Sequence, residues 1–177
     1  MNEQKLSDKK IDVLISAEDI EKKISECGKR LSEKYSGKPL LFIGMLKGSF
    51  IFLADLARQV TVPSRIEFIK TRSYRSGKVR GELEINYDRN LNFSDYDIVV
   101  VEDIVDSGHT LKAVAKLIGE KSPRSLYVIA LLNKPSGREV EYTPDECLFE
   151  VGDEFVVGYG LDMDEFGRNL PFIGAIH

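Results

Sequence analysis

The residues best suited to chemistry concentrate between Val99 and Leu111, in the run Val-Val-Val-Glu-Asp-Ile-Val-Asp-Ser-Gly-His-Thr-Leu. An apolar stretch ends in two acids, Glu102 and Asp103, and a third, Asp106, precedes Ser107, Gly108, His109 and Thr110. The second half has the makings of an anion site. Gly108 lets the backbone approach a ligand closely, Ser107 and Thr110 offer hydroxyls, and a helix starting there presents unpaired N–H groups. The first half would repel a bare phosphate. Both halves agree on a ligand with a phosphate at one end and hydroxyls or metal ions at the other, which describes a ribose 5-phosphate. Any one of these residues alone reads as a βα connection with solvated acids and a capping hydroxyl, so the ordered set carries the inference. Two competing phosphate motifs, Gly-x-Gly-x-x-Gly after a strand and Gly-x4-Gly-Lys-Ser/Thr, are absent.

A second anion nest is suggested where Leu46, Lys47 and Gly48 separate an apolar run from a helix opening at Ser49. Further on, Arg72–Gly81 is polar and basic, with Gly77 and Gly81, and reads as a mobile stretch. Lys134 follows an apolar run by two residues. Phe155–Asp162 ends in an acidic turn, Asp162-Met163-Asp164-Glu165, with Arg168 six residues past Asp162.

These residues need a scaffold, and the hydrophobic pattern supplies one. Val13–Ile15 reads as a short strand, and Ser16 caps a helix over about Ala17–Tyr35 with Ile20, Ile24, Cys27 and Leu31 on one face. Leu40–Met45, Ile98–Val101 and Leu126–Leu132 are continuous apolar runs of the kind found in buried parallel strands. The helix from Ser49 is expected to bury Phe50, Leu53, Ala54 and Ala57, and that over Leu111–Gly119 to bury Leu111, Val114, Ala115 and Ile118. Arg65–Thr71, Glu82–Tyr87 and Phe155–Tyr159 complete the expected strands. Strands alternating with helices predict an α/β fold with a mostly parallel sheet, whose ligands bind beyond the carboxyl ends of the strands.

Val99–Leu111 resembles the phosphoribosyl-pyrophosphate (PRPP) motif of the type I phosphoribosyltransferases, and its Glu-Asp-Ile-Val-Asp-Ser-Gly form is most similar to the hypoxanthine-guanine branch. The resemblance extends from about Val13 to Arg168. It implies a mostly parallel central sheet flanked by helices, with a small hood and a flexible active-site loop, in one domain spanning 1–177. The hood is expected from the N-terminal segment and about 145–177. It implies that Glu102, Asp103, Asp106, Ser107, Gly108, His109 and Thr110 bind the ribose phosphate of PRPP, with Asp106 catalytic near purine N7. His109 either contacts phosphate through its ring or points away while its backbone N–H binds. Lys47, Gly48 and Arg168 would hold pyrophosphate, and Ser73 and Tyr74 would begin the closing loop. Lys134 would donate to a purine 6-oxo group, with Phe155 stacking on the base and Val156 and Asp162 beside it. Magnesium would be the cofactor, held by Glu102, Asp103 and Asp162.

The implied reaction transfers the phosphoribosyl group to N9 of hypoxanthine or guanine, giving IMP or GMP and pyrophosphate. A homodimer or homotetramer is implied too. An enzyme of the same fold acting on xanthine or a pyrimidine, a PRPP-binding regulator and a receiver-like signalling domain are the competing readings. The last leaves Ser107–Thr110 unexplained.

Composition suits a soluble globule. The 177 residues are 42% hydrophobic, and 25 Lys and Arg against 29 Asp and Glu give a net charge of −4. That balance argues against broad nucleic-acid or membrane-surface binding. Cys27 and Cys147 show no Cys-x-x-Cys pattern and are expected as reduced thiols. The polar start lacks the apolar stretch of a signal peptide, and no apolar run reaches the length of a membrane span, so a cytoplasmic location is expected. His177, the last residue, is expected to fray.

Overall fold

The strands at the centre lie between helices on both faces, which is why their sequences are apolar throughout instead of alternating. The structure, a computed structural model, describes residues 6, 9–76 and 79–177, with the backbone alone for 73–76 and 79–83. In chain order the elements are β1 (Ile11–Ile15), α1 (Ala17–Lys34), β2 (Leu40–Leu46), α2 (Phe50–Gln59), β3 (Ser64–Ser76), β4 (Val79–Asn86), β5 (Asp97–Val105), α3 (His109–Gly119), β6 (Ser125–Asn133), β7 (Glu146–Glu150), β8 (Phe155–Val157) and β9 (Ile173–Ile176).

A six-stranded sheet runs in the order β4-β3-β2-β5-β6-β7. Strand β4 is antiparallel to β3, and every other neighbouring pair is parallel. The pleat sends successive residues to opposite cores. Phe42, Val99, Val101 and Ile129 pack with Ile20, Ile24 and Leu31 of α1 and Phe52 and Leu56 of α2. Leu41, Ile43, Val100 and Val128 pack with Leu111, Val114 and Ile118 of α3. A separate three-stranded sheet, β1-β9-β8, joins the two ends of the chain, with Ile11 opposite Ile176.

Helix α1 starts as its sequence indicates: the Ser16 Oγ accepts from the Asp19 N–H at 3.1 Å. Two expectations change. Helix α2 buries Phe52, Leu53 and Leu56, while Phe50 and Ala54 are exposed. The two sets share Leu53, and the one carrying more bulk faces α1 and the sheet. Of Arg72–Gly81, read as mobile, residues 72–76 and 79–81 have their backbone in β3 and β4, with Arg75 opposite Arg80 and Ser76 opposite Val79, and 77–78 lie outside the described residues. Ladder bonds are made by the main chain, so polar side chains do not forbid them. Finally, β7 pairs with β6 in the larger sheet, so residues 146–150 do not belong to the smaller one. His177 is tied down: its N–H donates to the Lys10 carbonyl at 3.3 Å and its ring faces Asp12.

Candidate active site

Because β2, β5 and β6 are parallel, their C-terminal ends deliver Lys47, Glu102–Asp106 and Lys134 to the same edge of the sheet. Glu102 is only 8% exposed. Burial pushes its carboxyl well above the usual range, and hydrogen bonding to and repulsion by Asp103 push the same way. The Asp103 N–H donates to Glu102 Oε1 at 3.2 Å. Asp106 is exposed and lies against Gly137, where an added Cβ would sit 1.6 Å from its Oδ1. Gly108, at φ 83°, turns the chain into α3. The loop is buttressed from behind, where the Glu139 and Val140 N–H groups donate to the Ser107 carbonyl at 3.1 and 3.3 Å. A cleft of about 170 Å³ opens here, lined by Leu46, Thr71, Glu102, Asp106, Ser107 and Thr110 among others. The His109 ring points to Glu139, with Nε2 3.1 Å from Oε2, leaving its backbone at the helix start.

The loop at Leu46–Gly48 touches the one after β5. The Leu46–Lys47 peptide is cis. Gly48 is buried so closely against Asp103 that an added Cβ would lie 1.5 Å from Oδ2. Behind it stands Gly160, at φ 104°, whose own Cβ would lie 2.0 Å from the Gly48 carbonyl oxygen. The 158–168 segment is thereby pressed against the loop. Arg168 donates to the Gly160 carbonyl at 2.8 Å and pairs with Asp162 at 2.7 Å and Glu165 at 3.3 Å. Glu165 also takes the Lys47 ammonium at 2.7 Å. These two cations, Lys47 foremost, hold the Glu165 carboxyl below its ordinary value.

On the other side of the cleft, Lys134 Nζ donates to the carbonyls of Asp153 and Glu154 at 3.1 and 3.0 Å. That sets the ammonium just ahead of Phe155, which is 55% exposed, while Val156 is buried. An exposed aromatic at a strand edge is a stacking surface. Ser73 and Tyr74 have their backbone in β3, and their side chains lie outside the described residues.

The expected metal ligands do not form one cluster. Among the described residues no three His, Cys, Asp or Glu side chains converge as a metal cage. Glu102 and Asp103 are adjacent, whereas Asp162 is engaged by Arg168 and by the Glu165 N–H. Magnesium nevertheless suits such sites, because it takes one or two carboxylates and completes its octahedron with water and substrate phosphate. A buried carboxyl crowded by a half-buried one is also the arrangement a divalent cation relieves.

Sequence reasoning missed three contributors. Gly137 makes room for Asp106, Glu165 bridges Lys47 and Arg168, and Arg138 donates to Asn133 Oδ1 at 2.6 Å beside Gly108. None carries a motif signal, since each acts through a tertiary contact.

The C-terminal edge of the sheet thus brings together an acidic strand end, a glycine turn into a helix and a facing Lys-Gly loop. The chain belongs to the phosphoribosyl transferase domain family, whose model matches residues 12–164. It is 40% identical over 169 residues to the hypoxanthine phosphoribosyltransferase of Salmonella typhimurium, covering 94% of this chain and 95% of that one. It is 38% identical to the hypoxanthine-guanine phosphoribosyltransferase of Staphylococcus aureus, covering 93% of each. A crystal structure of a Staphylococcus aureus hypoxanthine phosphoribosyltransferase superposes with a TM-score of 0.89 at 36% identity, over 99% of this chain and 97% of the other. A Bacillus anthracis hypoxanthine-guanine phosphoribosyltransferase gives 0.87 at 36% identity, over 96% and 99%.

Proposed function

We propose that this chain is a purine-salvage enzyme that transfers the 5-phosphoribosyl group of PRPP to N9 of hypoxanthine, and of guanine, forming IMP or GMP and releasing pyrophosphate. The observation that carries the choice of base is Lys134. Two of its three ammonium donors are spent on the Asp153 and Glu154 carbonyls, which fixes the group beside Phe155. The remaining donor suits a 6-oxo group and offers nothing to the 6-amino group of adenine.

In this reading Ser107, Thr110 and the N–H groups at the start of α3 hold the 5-phosphate. Glu102 and Asp103 accept from the ribose 2- and 3-hydroxyls. Asp106 takes or shares the N7 proton as N9 attacks C1 of the sugar. Phe155 stacks on the base while the Val156 backbone reads its edge, with Asp162 beyond. Lys47, Gly48 and Arg168 receive the departing pyrophosphate. Closure of the segment beginning at Ser73 and Tyr74 excludes water from an activated sugar. Magnesium would be held in two places, by Glu102 and Asp103 on the ribose side and by Asp162 on the pyrophosphate side, and would supply neutralising charge for the departing group.

The reading includes a cytoplasmic location and assembly into a homodimer or homotetramer. No helix among the described residues is long and apolar enough to cross a membrane. Phe50, Ile66 and Phe68, each over 40% exposed, offer apolar surface for self-association.

A pyrophosphate-release assay with PRPP, magnesium and each of hypoxanthine, guanine, xanthine and adenine tests the proposal. Turnover with hypoxanthine and guanine is expected. PRPP binding without turnover on any base would point to a regulator instead.

A further inference from the structure

We infer that Glu165 is an internal stand-in for pyrophosphate, occupying its two cations while the site is empty and setting how tightly the polyanion is held. The inference rests on the pyrophosphate role proposed for Lys47 and Arg168, and goes beyond it by assigning their shared partner. One oxygen, Glu165 Oε2, faces both Lys47 Nζ at 2.7 Å and Arg168 Nη2 at 3.3 Å. The Lys47 contact joins residues 118 positions apart, so it is made by the fold and not by chain proximity.

The turn carrying Glu165 is built to present this carboxylate. Asp164 and Glu165 both take left-handed backbone, at φ 51° and 69°, where residues with a Cβ are uncommon. Met163 and Phe166 close the turn with two N–H···O bonds of 3.0 Å, and the Glu165 N–H is anchored on Asp162 Oδ2 at 2.8 Å. The backbone is held, yet the side chain is 63% exposed, so it can leave without uncovering a core. Arg168 keeps its bonds to Gly160 and Asp162 when Glu165 departs, so the cation stays aimed at the site.

An incoming pyrophosphate therefore competes with a carboxylate already in place and meets its negative charge nearby. A departing pyrophosphate leaves cations that Glu165 reclaims at once. Glu165 thus lowers affinity for the polyanion and favours release of that product. It contacts the cations and not the reacting atoms, which makes it an affinity-determining residue.

The sign of one substitution tests this. Glu165→Gln keeps the shape of the side chain and removes the competing charge. Titration calorimetry of magnesium pyrophosphate into the full chain is expected to show about three- to tenfold tighter binding than wild type, the scale of two solvent-exposed ion pairs. The gain should shrink as salt is raised from about 0.05 to 0.5 M, because exposed charges are screened. Glu165→Ala, with an unchanged thermal midpoint as folding control, should show the same direction. If Glu165 merely clamped the turn, or aided magnesium, both variants would bind pyrophosphate equally or more weakly, and the inference would be overturned. Lys47→Ala separates the two layers: weaker binding supports the site, whereas unchanged affinity would overturn the site reading and the inference with it.

Discussion

Replacing Gly137 with alanine tests the role of Asp106 without touching Asp106. The added Cβ would stand 1.6 Å from Asp106 Oδ1 and 2.8 Å from its Cγ, whereas real Cβ contacts essentially never fall under 3.0 Å. Gly137 is outside the left-handed region, so alanine meets no backbone strain there. The end of an exposed side chain is the cheaper part to move, and the carboxylate must retreat by at least about 1.4 Å, a displacement on the scale that costs roughly 100-fold in rate when it misplaces a catalytic group. Folding should notice little. An off-rotamer aspartate costs about 0.5–1.5 kcal/mol, and glycine-to-alanine recovers about 0.4–1 kcal/mol through the unfolded chain. The thermal midpoint should therefore stay within about 3 °C of wild type. Steady-state pyrophosphate release from PRPP and hypoxanthine should show kcat falling about 30- to 100-fold, or about 2–3 kcal/mol of barrier, with the KM for PRPP changing far less. Asp106→Asn should lower kcat by about 100-fold or more, and adding Gly137→Ala to it should cost little further, since both act on one group. A Gly137→Ala enzyme with wild-type kcat and an unchanged midpoint would refute the assignment of Asp106 to the chemistry.

Three further outcomes are expected. Lys134→Ala should cut kcat/KM for hypoxanthine by about 10- to 100-fold, the worth of a charged hydrogen bond, and leave adenine nearly unaffected; an unchanged ratio in competition assays would remove Lys134 from base selection. Gly160→Ala drives a Cβ into the Gly48 carbonyl at φ 104° and should destabilise by about 3 kcal/mol or more, lowering the thermal midpoint by roughly 6–12 °C. Glu102 has its carboxyl raised by burial and by Asp103. Below the ordinary carboxylate range it is protonated folded and unfolded alike. As pH rises from there towards the raised value, the unfolded chain releases a proton that the folded one retains, so stability falls. Midpoints of metal-free protein scanned between pH 4 and 8, taken as about the carboxylate range upward, should drop relative to Glu102→Gln as pH increases, and parallel curves would contradict this.

Legibility in the sequence followed the kind of force at work. Strands β2, β5 and β6 could be read because burial on both faces removes polar residues, and α1 because Ser16 caps it locally. Val99–Leu111 could be read because its work is done by the local backbone and adjacent side chains. The same logic explains what escaped. Strands β7 and β9 are short, and β9 contains Gly174 and Ala175, so their only clear signal is the partner they meet across the fold. Helix α2 offered two overlapping apolar faces, and only packing against α1 chose between them. Gly137 and Glu165 act across tertiary contacts that no spacing encodes.

The pairing of β1 with β9 bears on how the protein is made. Its contacts, such as Ile11 opposite Ile176, join the most distant parts of the chain, whereas parallel neighbours such as β5 and β6 lie far closer in sequence. Loop closure is cheaper over the shorter separations, so the larger sheet has the means to form before the smaller one closes. Until β9 arrives, Ile11, Val13 and Ile15 lack the neighbour that completes their sheet. The sheet carrying Phe155 is thus the costliest to close, and a chain cut before Ile173 would keep the Asp106–Thr110 loop without the strand that pairs with Phe155.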